Sequence, residues 1–183
     1  MAQCLHMSIS KMKYKEQPDL YEGDDIARFI LGKKGKRPLV VFGINPSNAN
    51  KQQSDRTINR VIQLSQQHGF DGWIMLNLYP QRNKDPKKLH KVCDQRLHEE
   101  NIHFISLILS DYPEAVLCAA WGNNIENHQF LRQCLRDIQA LTDKSHFVWK
   151  SIGPLGKKEH PKHPLYLPSS LPLIGFDIEK SLR

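Results

Sequence analysis

Pro38-Leu39-Val40-Val41-Phe42-Gly43-Ile44-Asn45-Pro46-Ser47-Asn48-Ala49-Asn50 is the stretch on which the fold turns. Leu39 to Phe42 and Ile44 are apolar without alternation, the pattern of a strand covered on both faces, as central parallel strands are. Pro46 lacks an N–H and holds Asn45 to extended backbone, so the strand ends here. Amides and a hydroxyl follow at once, at the carboxyl end of a central strand, where open α/β sheets bind ligands. An ordinary polar strand-to-helix turn would read the same way, so this stretch alone leaves both readings open.

Downstream, Ser54 caps a helix with Asp55 in its first turn, and Ile58, Val61, Ile62 and Ser65 share one face until Gly69 ends it. Gly72 to Tyr79 is a second buried strand that ends, like the first, in an asparagine and a proline, Asn77 and Pro80. The intervening helix has the length of a βαβ crossover. Asp85-Pro86 opens a long helix reaching Asp111, with an apolar stripe from Leu89 to Leu109. Ala115 to Trp121 is a third buried strand, Asn123 or Asn124 caps the helix after it, and His146 to Ile152 is a fourth strand. From Gly153 to Pro172, Pro154, Pro161, Pro164, Pro168 and Pro172 predict irregular structure. Upstream, residues 25–44 read as a hairpin turning at Gly32-Lys33-Lys34-Gly35, and residues 1–24, with Lys11, Lys13 and Lys15, as a polar lead-in with room for one edge strand.

These elements predict one α/β domain over residues 25–183, a three-layer α/β/α sandwich on a mostly parallel sheet of about four strands with an antiparallel edge allowed. No apolar run approaches the ~18 residues that span a bilayer, and Met1 to Ser10 lacks a signal peptide's apolar core, so a cytoplasmic protein with no membrane contact is expected. Cys4, Cys93, Cys118 and Cys134 form no C-x-x-C pair, which predicts reduced thiols and no zinc or iron–sulfur site. His90, His98 and His103 miss the i, i+4 spacing of a helical metal site, and no G-x-G-x-x-G or Walker loop occurs. Neither metal nor cofactor is therefore expected. The net charge of +7 and pI near 9.3 favour a polyanionic partner, nucleic acid or nucleotide, and no obligate protein partner is predicted.

Four strand ends now carry polar or aromatic signatures, and these carry a resemblance. Gly43-Ile44-Asn45-Pro46 resembles the first motif of the mismatch-specific branch of the uracil-DNA glycosylase superfamily. Leu76-Asn77 is similar to the strand end whose asparagine reads the base in the uracil-specific branch. Trp121-Gly122 resembles that superfamily's core strand, and His160-Pro161 or His163-Pro164-Leu165 its His-Pro-Ser-Pro-Leu loop. About residues 25 to 170 resemble, more closely, a family of small bacterial and phage proteins catalogued as domain of unknown function 1643. That likeness rests on Asn45-Pro46-Ser47, Asp55-Arg56-Thr57, Asn77-Leu78-Tyr79 with Arg82, and the segment from Glu159 through His160 and His163 to Tyr166.

The glycosylase resemblance implies a fold of that superfamily and metal-independent hydrolysis of an N-glycosidic bond, in nucleic acid or a nucleotide. Asn45 would place the attacking water, and His163 or His160 would hydrogen-bond the departing base. Asn77 offers donor and acceptor to a base edge, with Tyr79 or Phe42 to stack on it and Leu165 to fill the space of an extruded base. Ser47, Asn48 and Arg82 would hold phosphate. Gly43, Pro46, Asp55, Trp121 and Gly122 would complete the pocket. An asparagine at 45 cannot act as a general base, so catalysis stays uncertain, and a non-catalytic module that recognises a nucleotide or modified base in the same pocket stays open. Asp55 reads as a helix-terminus carboxylate or as the site's only nearby acid.

Overall fold

A computed structural model describes residues 12–144 and 147–183. All six residues of strand β3 (Pro38–Gly43) are buried, with Leu39 and Val41 on one face and Val40 and Phe42 on the other. Helix α1 (Arg56–Gln67) covers the first face through Ile58, Val61, Ile62 and Leu64. Helices α2 (Gln95–Asp111) and α3 (Phe130–Asp143) cover the second, through Ile105 and Ile108 and through Leu131, Leu135 and Ile138. The result is three layers, helix on both faces of a sheet, as the unbroken apolar run of β3 requires.

Among the described residues the sheet has seven strands, which corrects the expected four or so. Around β3 lie β1 (Leu20–Gly23), β2 (Arg28–Lys33), β4 (Gly72–Asn77), β5 (Val116–Ala119), β6 (Val148–Ile152) and β7 (Leu173–Gly175), in the order β1-β2-β4-β3-β5-β6-β7. The central four, β4, β3, β5 and β6, are parallel. The other three pairings, β1 with β2, β2 with β4 and β6 with β7, are antiparallel, so the sheet is mixed where a mostly parallel one was expected. The flanking strands β1 and β7 span only four and three residues and are half-exposed, too short to show a period in sequence. The hairpin expected over residues 25–44 is also corrected, because β4 lies between β2 and β3. In register, Pro38 to Gly43 pair with Gly72 to Asn77, and Leu31 meets Met75 across the other edge.

Helix starts differ from expectation for local reasons. Asp55 itself caps α1, accepting from the Ile58 N–H at 2.9 Å, while the Ser54 hydroxyl turns to Asn59 at 3.0 Å. Asp85-Pro86 opens only a 3₁₀ turn, Pro86–Lys88; Leu89 is extended, and α2 begins at Gln95 under Asp94, which accepts from the Leu97 N–H at 3.0 Å. Gly122, at φ 66°, leads into a 3₁₀ segment, Gly122–Asn127, so neither Asn123 nor Asn124 caps α3. Tyr79 and Trp121 fall just beyond their strands. His146, Cys4 and Lys11 lie outside the described residues. Cys93, Cys118 and Cys134 are free thiols, and burial pushes Cys118 up to about 12. Among the described residues no helix is long and apolar enough to cross a membrane.

Candidate functional site

Because β3, β4, β5 and β6 are parallel, the loops that follow them leave the sheet at one edge. These four loops and the start of α1 line a cavity of about 260 Å³. Ile44, Asn45 and Ser47 come from the loop after β3, Asn83, Lys84 and Pro86 from that after β4, Trp121 and Asn124 from that after β5, and His163, Leu165 and Tyr166 from that after β6. Asp55, Thr57 and Ile58 belong to the beginning of α1, and Gly43 and Met75 to the strands. Strand β2 runs antiparallel to β4, so its first residue, Arg28, reaches the same edge and the same cavity.

Asn45 lines the cavity while its amide nitrogen ties two loops together. Nδ2 shares its hydrogens among the carbonyls of Pro46, Gln81 and Asn83, at 3.0, 3.2 and 2.8 Å. A carboxylate here would face three carbonyl oxygens, so residue 45 is an amide for a structural reason. The cavity's carboxylate is Asp55 instead. One of its oxygens accepts from Ile58, and the other accepts from the Ala49 N–H at 3.3 Å, leaving each with a further lone pair.

His163 is the histidine that lines the cavity, and its tautomer follows from its neighbours. Nδ1 accepts from the Leu165 N–H at 3.2 Å, so the neutral ring carries its proton on Nε2. Burial holds its pKa below the ordinary 6.5, opposed in part by the charge of Asp55. At neutral pH the ring is uncharged and offers one N–H. Tyr166, 81% exposed, sets an aromatic ring at the cavity's rim, 5.7 Å from the His163 ring.

Other expected site residues lie elsewhere. His160 is 2% exposed and accounted for by Ser181 at 3.0 Å and Glu126 at 3.4 Å; Ser181 in turn accepts from the Trp121 indole at 3.2 Å. It closes the fold outside the cavity. Phe42 packs on Trp149 with ring centroids 5.0 Å apart, and the Tyr79 hydroxyl bonds His90 at 2.7 Å and the Asp94 N–H at 3.1 Å. Both are core residues on the side of α2 and α3, unavailable for stacking on a ligand. Arg82 donates to the carbonyls of Asp24, Ser47 and Ala49 and to the Tyr21 hydroxyl, so its fork holds the chain and not a phosphate. Asn48 borders a neighbouring depression with Arg82. Pro46 and Gly122 shape loops, and a Cβ on Gly122 would meet His163 at 3.6 Å.

Asn77 is the unusual case. It is wholly buried, and neither atom of its amide finds a hydrogen-bond partner among the described residues. Its Oδ1 lies 3.1 Å, and Met75 Cε 2.6 Å, from where a Cβ on Gly43 would stand, so a side chain at Gly43 would displace the Met75 methyl and crowd the amide. Asn77 thus sits against two cavity-lining residues without lining the cavity itself.

Arg28, Met75, Asn83 and Lys84 are cavity residues that the sequence did not single out, while Thr57 and Tyr166 had entered only as motif residues and Asn124 only as a helix cap. For Arg28 a signal existed: a lone charge inside Ala27-Arg28-Phe29-Ile30-Leu31, a run too apolar to leave it solvated.

No curated protein and no solved structure matches the chain. A family model matches residues 28–165, a stretch that takes in every cavity-lining residue except Tyr166. The chain belongs to that family, described as a protein of unknown function, DUF1643.

Proposed function

We propose that the cavity binds a nucleotide unit and that the chain hydrolyses its N-glycosidic bond. One observation carries this reading: the Asp55 carboxylate and the Nε2–H of a neutral His163 belong to the same cavity. Cleavage of the bond builds positive charge on the sugar and negative charge on the departing base. Asp55, through its free lone pairs, orients a water and offsets the sugar's charge, and Asn45 Oδ1 accepts that water's second hydrogen. The water oxygen bonds to the anomeric carbon as the carbon–nitrogen bond breaks, and the proton that the water loses passes to Asp55 and from there to solvent. His163 donates to the base oxygen on which the electron pair settles, and solvent protons neutralise the base. Tyr166 stacks on the ligand at the rim. The order of the motifs resembling the uracil-DNA glycosylase superfamily supports the same chemistry and a related fold.

A second reading, recognition without hydrolysis, is favoured by the backbone bonds that both Asp55 oxygens already accept. A base-release assay separates the two, using single-stranded, mismatched and base-modified DNA and RNA, free nucleosides and nucleoside monophosphates. Release by the wild type that is lost in His163→Ala supports hydrolysis. Binding without release supports recognition, and release that survives both His163→Ala and Asp55→Asn overturns the assignment of the site.

A further inference from the structure

Arg28 is 2% exposed, yet among the described residues no carboxylate stands within ion-pair distance of it, and the charge of Asp55, a residue of the same cavity, offsets its burial only in part. Nη1 donates to the Ala49 carbonyl at 2.9 Å, and Nε has no acceptor among the described residues. As a staple for that carbonyl it is redundant, because Arg82 donates to the same oxygen at 3.1 Å. Burial lowers its pKa only to about 10, so the guanidinium keeps its charge at neutral pH. A buried, unpaired charge is costly, and a protein retains one where something else supplies the counter-charge.

The cavity around it is built to the same end. The N–H groups of Arg56 and Thr57, in the first turn of α1, have no partner within the helix, and the positive end of the helix lies at the cavity with the Thr57 side chain. Lys84 adds an exposed ammonium at the wall. Asp55 is the opposing charge, and its oxygens are engaged by the N–H groups of Ile58 and Ala49. We infer that this cavity takes the phosphate of a nucleoside monophosphate, held by Arg28 beside the first turn of α1, and that the ligand is a single nucleotide and not a base within a continuous strand. This rests on the nucleotide reading of the cavity. At 2% exposure Arg28 can be met only from inside, and a cavity of about 260 Å³ suits a ligand smaller than most drug-sized ones. A phosphate in that position is a chain end.

Isothermal titration of the full chain at neutral pH tests this, with inorganic phosphate, the common nucleosides, their 5′-monophosphates and a short single-stranded oligonucleotide as probes. At least one monophosphate is expected to bind about 10- to 150-fold tighter than its nucleoside, the range for a hydrogen bond to a charged group. Inorganic phosphate should compete with it. Arg28→Met should abolish the difference between monophosphate and nucleoside while nucleoside affinity stays within about threefold, the margin of a side chain that does not touch the base. Should Arg28→Met fail to fold, Lys84→Ala, at an exposed position, is expected to weaken the monophosphate and spare the nucleoside. Equal affinity for nucleoside and monophosphate, a preference that survives both substitutions, or tighter binding of the oligonucleotide would overturn the inference. Inorganic phosphate bound by wild type and not by Arg28→Met, with no nucleoside or nucleotide bound, upholds the anion site and overturns the nucleotide reading. Monophosphate bound without base release removes only the hydrolytic step.

Discussion

The guanidinium groups of Arg28 and Arg82 converge on a single acceptor, the carbonyl oxygen of Ala49, at 2.9 and 3.1 Å. Two like charges thus hold one loop, and they do so with different consequences. Arg82 also bonds the carbonyls of Asp24 and Ser47 and the Tyr21 hydroxyl, whereas Arg28 leaves its Nε unpaired in the interior.

Removing each arginine should therefore act in opposite directions. Arg82→Ala deletes four donated bonds and is expected to lower stability by about 2–3 kcal/mol, and Arg82→Lys should not restore it, because an ammonium lacks the planar fork. Arg28→Met replaces an unpaired buried charge by an apolar chain of similar length and should be neutral or stabilising. Urea unfolding followed by tryptophan fluorescence measures both. A large loss of stability in Arg28→Met would mark that residue as a structural staple.

Position 45 separates amide from carboxylate. Asn45→Ala loses the clamp on Pro46, Gln81 and Asn83 and should cost about 1–3 kcal/mol. Asn45→Asp should cost more, since it sets a negative charge against the same three carbonyl oxygens. The order of the two unfolding midpoints checks this, and an Asn45→Asp variant as stable as the wild type would contradict it.

Asn77 offers a test of the orphan amide. With no partner for either atom among the described residues, its replacement by the similarly shaped Leu should change stability by less than about 1 kcal/mol, because no hydrogen bond is lost. If the amide instead holds a buried water against Gly43 and Met75, Asn77→Leu will unfold at clearly lower denaturant.

Stability should also fall on mild acidification. Burial depresses the pKa values of His160 and His163 below the ordinary 6.5 in the folded chain. The unfolded chain then binds more protons than the folded one in the interval between the depressed values and 6.5, and stability rises with pH there. The stability that these neutral rings contribute is complete above 6.5 and is lost as pH falls from 6.5 through the folded values. Melting temperatures at a series of pH values should show this decline, and His163→Gln should make it shallower. An unchanged pH slope in that variant would mean that His163 titrates normally.

What the sequence revealed was local, and what it hid was spatial. The buried run of β3, the polar chain after it, and the edge to which Asn45, Trp121 and His163 belong follow from apolar continuity and from proline and glycine placement. The choice between His160 and His163 depends on which ring meets Ser181 and Glu126, partners separated from His160 by 21 and 34 positions. Asp55 as helix cap and cavity carboxylate at once required the 49–55 loop to fold back on itself, as the Ala49 N–H bond shows. Arg28 stands at the cavity's edge because β2 runs antiparallel to the strands beside it, and that its neighbour is β4 and not β3 is a fact of sheet order that no local pattern carries. Tyr79 and Phe42 were legible as aromatic residues near strand ends, but the face of the sheet each takes was not.

Hydrolysis in this cavity depends most directly on the charge of Asp55. Asparagine caps helices as well as aspartate does, so Asp55→Asn keeps the bond from the Ile58 N–H that starts α1 and removes the charge, at the cost of the longer bond from the Ala49 N–H. Single-turnover base release from a nucleoside monophosphate, with binding measured in parallel, should fall by about 100-fold or more in Asp55→Asn while affinity stays within about threefold. Release at the wild-type rate in that variant would contradict the account.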